Sequence, residues 1–202
     1  MMKKSVLVLS LCGIALMFAA CIQFFGTVRG GGWIPSAAFQ GENVTANSPI
    51  TEKATFGFTL KCDAKKNVLN GQFEYHDHGV PFFGLAPISF DGLAIHGFIN
   101  KLPLPEGCTC AQLQTGGCIG GIGAPGPPGT TIAAGPYRPQ INGIDIDCST
   151  NPAACGLFIV QASDRECDEG SDGLALILVS GLYGGYANEA CLGGGNITFF
   201  SK

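Results

Sequence analysis

Apolar and polar positions alternate through much of this chain. In residues 55–62, Phe56, Phe58, Leu60 and Cys62 fall on one side and Thr55, Gly57, Thr59 and Lys61 on the other. That period of two predicts a half-buried strand. Residues 72–78 repeat the pattern, with Phe73 and Tyr75 facing one way and Gln72, Glu74, His76 and His78 the other. Residues 88–99 predict one or two further strands, broken near Asp91-Gly92. Residues 157–163 and 174–180 are β-rich, largely apolar runs, expected near the centre of a sheet or covered on both faces. Residues 197–200 predict a last strand. Nothing after residue 28 shows sustained helical periodicity. Short strands separated by turn residues predict an all-β fold, an antiparallel β-sandwich or open barrel.

The first twenty-odd residues break this pattern. Lys3 and Lys4 are followed by an apolar run and then by Ala19-Ala20-Cys21, the layout of an export signal. A cysteine after a small pair resembles the bacterial lipoprotein signal, in which that cysteine is acylated, palmitate included, and becomes the mature N-terminus. The expectation is a signal peptide over 1–20, lipidation at Cys21, a tether over 21–28 and one domain over 29–202. Ile22, rather than Asp, follows the cysteine, which in two-membrane bacteria implies export to the outer membrane or cell surface. A plain cleaved signal or a spanning anchor would use the same apolar run.

Composition narrows the compartment and the partners. Lys3 and Lys4 leave with the signal, so nine basic residues face fifteen acidic ones and the mature net charge is −6. That balance offers no electrostatic footprint for nucleic acid. Thirty-one glycines and sparse charge fit turn-rich β structure. Of ten cysteines, Cys12 leaves with the signal and Cys21 takes lipid. Cys62, Cys108, Cys110, Cys118, Cys148, Cys155, Cys167 and Cys191 remain, an even number that predicts disulfides in an exported chain. If strands near 93–99, 157–163 and 174–180 run as a meander, Cys108, Cys110, Cys118, Cys148, Cys155 and Cys191 share one end. Cys62–Cys167 is then the expected bridge, and Cys167–Cys191 is disfavoured by the length of the strand between them.

Candidate chemistry is thin. Glu74, His76 and His78 share one strand face and carry zinc-ligand atoms. They span about 13 Å, so any site needs two of them plus a ligand such as His96. Asp164, Glu166, Asp168, Glu169 and Asp172 crowd one Gly-containing loop, where hard oxygens suit weak Ca²⁺ binding or simply an exposed turn. Asp145 and Asp147 are a smaller instance. No Gly-x-Ser-x-Gly is present, and no catalytic residue or organic cofactor is expected.

The chain resembles the post-COAP type of extracellular bacterial β domain. The matching segments are Gly30-Gly31-Gly32-Trp33-Ile34, Glu52-Lys53-Ala54-Thr55-Phe56-Gly57-Phe58, Gly71-Gln72-Phe73-Glu74-Tyr75-His76-Asp77-His78, Asp164 through Asp172, and Leu192-Gly193-Gly194-Gly195-Asn196-Ile197. The resemblance covers about residues 29–100 and 156–200. It implies a β domain without assigned catalytic activity. Where such domains carry a short turn, residues 102–154 read as a Cys/Gly/Pro-rich insertion with a three-residue glycine register at Gly120, Gly123, Gly126 and Gly129, expected as an extended loop that the domain can lose.

Two functions follow as expectations. One is a non-enzymatic cell-envelope surface lipoprotein, structural or binding in role, anchored in a membrane and meeting an extracellular protein or glycan. The alternative is a hydrolase acting on envelope or extracellular polysaccharide.

Overall fold

The computed structural model describes residues 27–37, 52–79, 92–104, 109–110, 130–164 and 171–200. Ten strands account for most of them: β1 Thr27–Pro35, β2 Lys53–Asp63, β3 Val68–Asp77, β4 Leu93–Pro103, β5 Thr130–Ile141, β6 Ile144–Asp145, β7 Gly156–Ser163, β8 Gly173–Leu178, β9 Ala187–Cys191 and β10 Gly194–Phe200. Every pairing is antiparallel, in the order β10-β1-β2-β3-β4-β5-β7-β8-β9, with the two-residue β6 folded back on β5. The expected all-β class is what the chain adopts. Of the two expected shapes, the strongly curled open barrel describes this sheet.

The predicted faces of β2 and β3 hold. Phe56, Phe58, Leu60 and Cys62 are buried on β2, as are Leu69, Phe73 and Tyr75 on β3. On β7, Phe158, Val160 and Ala162 point inward; on β8, Leu174, Leu176 and Leu178 do the same. Each large apolar side chain so buried contributes about 1.5–3 kcal/mol.

Curl follows from where the sheet lacks side chains. Phe73 on β3 and Phe158 on β7 stack with centroids 5.5 Å apart, although β4 and β5 separate their strands in the sheet. Between them lie Gly97 and Gly135. A Cβ on Gly97 would stand 2.6 Å from the Phe158 ring, and one on Gly135 would stand 1.9 Å from the Phe98 carbonyl oxygen. Two glycines on the concave face therefore let the ring lie across the strands and let the sheet close on itself.

The glycine segments at the two ends of the chain meet. β1 pairs with β10 so that Gly31 faces Asn196 and Gly32 faces Gly195. A Cβ on Gly193 would stand 2.1 Å from the Trp33 ring, and Lys53 Nζ lies 4.5 Å over that ring's centre. Trp33 is thus packed between a bare backbone and a cation.

Three expectations are corrected. Residues 102–154 are not an extended loop throughout, because they supply β5, which pairs with both β4 and β7. The expected direct step from the strand near 93–99 to that near 157–163 does not exist. Second, Cys62 pairs with Cys110, at a Cα separation of 5.6 Å, and not with Cys167. Third, the apolar character of β7 and β8 does not reflect cover on both faces. Leu157, Ile177 and Val179 are 53%, 48% and 53% exposed on the convex side.

Candidate functional site

The zinc-type residues lie on the convex face. Glu74 is opposite His96 across β3 and β4. His76 ends the same face, and His78 follows in the turn, with the two imidazoles 3.8 Å apart. Among the described residues, no three His, Cys, Asp or Glu side chains come together in a way that could hold an ion. Of the calcium-type residues, Glu166, Asp168 and Glu169 lie outside the described residues. Asp172 is buried and its Oδ2 accepts the Ile197 amide, tying β8 to β10. Asp147 is exposed and caps its own turn: bonds from the Ser149 amide and hydroxyl hold its carboxyl below the usual range. Cys21 also lies outside the described residues.

His96 has an oriented environment. Its Nδ1 is 3.1 Å from Asp145 Oδ2, and Asp145 Oδ1 accepts from Gln140 Nε2 at 2.8 Å. The β5–β6 hairpin places that carboxylate, turning through Asn142-Gly143 with both residues at positive φ. Phe98 packs on the imidazole at 4.3 Å and Arg138 lies over Phe98 at 5.3 Å. His96 Nε2 is buried and has no hydrogen-bond partner. Among the described residues, no hydroxyl lies within hydrogen-bond distance of that nitrogen.

A second polar group lies inside the open seam of the barrel. Asn188 Nδ2 donates to Tyr75 Oη at 2.7 Å and to the Pro35 carbonyl at 3.0 Å. Tyr75 and Tyr186 hydroxyls are 2.6 Å apart, and Tyr186 donates to Asp77 Oδ2 at 2.7 Å. With the Tyr186 proton committed to Asp77, Tyr75 is the donor between the two hydroxyls. Asp77 also accepts the Ala37 and Gly79 amides, both at 3.0 Å. Burial raises the hydroxyl pKa of both tyrosines well above the ordinary value, and negative charge nearby adds to it. Sequence reading passed over this network, although the alternation that turns Phe73 and Tyr75 inward also turns Asp77 inward. A carboxylate continuing an apolar face was the available signal.

One interior recess is lined entirely by described residues. The recess between Phe58, Leu60, Phe73, Thr131, Val160 and Ala162 leaves no space for a water molecule. The outer surface of β7 and β8 is different. Leu157, Ile177 and Val179 stand exposed there, and the Val179 amide bonds to the Leu157 carbonyl, so two of them are neighbours. Together they form an exposed apolar patch on the convex side of the sheet.

The disulfides are partly described. Cys148–Cys155 closes a short loop before β7, with Cα atoms 5.7 Å apart. Cys191 is also disulfide-bonded, to a cysteine outside the described residues. No helix among the described residues is long and apolar enough to cross a membrane. Comparison of the chain with protein-family models, with curated proteins and with solved structures gives no match.

Proposed function

We propose that this chain is a lipid-anchored protein of the cell envelope, facing outward from the membrane, that acts by binding and not by catalysis. The observation that carries the reading is the exposed aliphatic surface of Leu157, Ile177 and Val179 on a closely packed barrel. Aliphatic side chains suit an apolar protein surface, whereas sugar rings are held on aromatic platforms. An extracellular protein is therefore the favoured ligand over a glycan. The anchor is argued from the Ala19-Ala20-Cys21 layout, and the absence of catalysis from the resemblance to post-COAP domains. The hydrolase alternative would lean on His96 and Asp145, whose free ring nitrogen is buried.

Mass spectrometry of the membrane fraction is expected to find an acylated Cys21 as first residue. A mature protein starting elsewhere, without lipid, removes the anchor. A photoreactive residue at Ile177 is expected to give a protein adduct on intact cells, lost in the Leu157→Asp/Val179→Asp variant. Release of sugar from envelope polysaccharide by the purified protein, abolished by His96→Ala, would favour the hydrolase.

A further inference from the structure

A basic surface lies where the chain enters the barrel. Thr27, the first residue of β1, is opposite Phe200 on one side and Lys61 on the other. Lys61 is opposite Asn70, whose side-chain oxygen accepts the Lys101 amide at 3.0 Å. One row thus runs across β10, β1, β2, β3 and β4. Arg29 lies two residues farther along β1, and Lys65 and Lys66 are in the turn between β2 and β3. All five cations are exposed. They are five of the nine basic residues of a mature chain whose net charge is −6. The row and its turn contain one described acid, Asp63, held 3.6 Å from Lys66. Phe200 is 44% exposed, with the Arg29 guanidinium 6.0 Å from its ring centre. Of the acidic residues 164–172, Asp172 reaches this flank as well: it is buried, with its Oδ2 taken by the Ile197 amide of β10, three residues before Phe200.

We infer that this flank lies against an anionic lipid surface. The inference deepens the proposed anchoring and rests on it for orientation. Six residue steps separate Cys21 from Thr27, so an acyl anchor would hold the head of β1 within about 20 Å of the membrane. At that distance the nearest protein surface is the basic row, with an aromatic side chain for the headgroup boundary. Anionic headgroups attract each such cation, within a Debye length of about 8 Å at physiological salt. An aliphatic surface would face the membrane equally well by burial, but Leu157, Ile177 and Val179 lie toward the other end of the strands, since the pairing puts Thr130, Ser163 and Gly173 at the end shared with Lys101. Lipid on the basic flank turns that surface outward, where a protein partner can reach it.

The test uses residues 21–202 with Cys21→Ser, the mature length without acylation, which holds every described strand. In flotation assays it is expected to bind vesicles rich in phosphatidylglycerol, to ignore phosphatidylcholine vesicles, and to be released by 1 M salt. Neutralising Lys61, Lys65 and Lys101 together (each to Gln) is expected to weaken binding about a hundredfold, at about fivefold per charge. Lys53→Gln/Arg138→Gln, outside the row, is expected to change it little. Equal binding to neutral vesicles, an unaffected triple variant, or an equal loss in the control pair overturns the inference. So does binding to a soluble polyanion such as heparin without binding to anionic vesicles. An unacylated Cys21 in the mass-spectrometric experiment would remove the anchor and leave the vesicle result to be judged separately.

Discussion

At Gly97 the whole side chain is missing for a packing reason. Its Cβ would lie 2.6 Å from Phe158, a ring already stacked on Phe73. Gly97→Ala is expected to cost about 1–3 kcal/mol in denaturant unfolding, as overpacking does. A variant as stable as the parent would mean that the ring can move aside. The tyrosines give a second prediction at this scale. All four, Tyr75, Tyr137, Tyr183 and Tyr186, have hydroxyls raised above the ordinary value of 10.0, burial being the largest cause in each. A raised folded pKa means that the native state keeps a proton which the unfolded chain releases. Stability is therefore full below pH 10 and falls as pH climbs above it. Ultraviolet titration is expected to show no tyrosine ionising near pH 10 in the folded protein, with ionisation and unfolding coinciding at higher pH. A free transition of one or more tyrosines at pH 10 would contradict the buried placement.

Among the elements, β5 separates two accounts of the chain. Pro136, Pro139 and Gly135 give 130–141 the composition of a loop, because proline cannot donate to a ladder. Yet residues 130–137 pair with β7, and 137–139 pair with β4. Beyond the β7 ladder, the Pro139 carbonyl is used by the Ile146 amide at 2.9 Å. Replacing 103–153 by a short turn is thus expected to abolish cooperative thermal unfolding, since it strips β4 and β7 of their common partner. A shortened protein melting like the parent would show β5 to be an addition. The replacement would also remove Cys110, and with it a loop closure of about 4 kcal/mol. β9 was a further unforeseen strand, and it reverses the disulfide argument. It carries the chain back along β8, so that Cys191 is opposite Gly173. Six residues separate Gly173 from Cys167, which makes Cys167 the nearest in sequence of the cysteines left to pair with it. Non-reducing peptide mapping is expected to recover Cys167–Cys191 beside Cys62–Cys110 and Cys148–Cys155. Recovery of Cys191 joined to Cys108 or Cys118 would overturn this.

For the molecule as a whole, the decisive feature is an open seam. β9 and β10 follow one another in the chain yet stand at opposite edges of the sheet order. What holds β9 near the C-terminal ends of β1 and β3 is a set of single bonds: Asn188 to the Pro35 carbonyl, the Gly193 amide to the Trp33 carbonyl, and Tyr186 to Asp77. Isolated bonds yield before a continuous ladder does. In native-state hydrogen exchange, the amides of β9 are expected to exchange by a lower-energy opening than those of β2 and β3. Asp77→Ala, which leaves the Tyr186 hydroxyl and two amides unpaired, is expected to lower that opening energy further and cost about 3 kcal/mol or more overall. Uniform exchange across the strands would mean that the barrel opens only as a unit.

Local information reached as far as local periodicity does. The alternation in β2 and β3 determined which side chains face inward, because a strand's two faces depend only on odd and even position. It determined the β class for the same reason, and cysteine parity in an export-type chain carried the expectation of disulfide bonds. The same odd-even count could have placed Asp77 inside, but it could not say that Tyr186, more than a hundred residues later, would satisfy it. Partners across that distance depend on register and on which strand lies next to which. The tertiary structure alone decided that β5 divides β4 from β7, that Cys62 meets Cys110, and that cations from residues 29, 61–66 and 101 share one flank. Each of those is a pairing between distant segments, and its energy exists only once the sheet has curled.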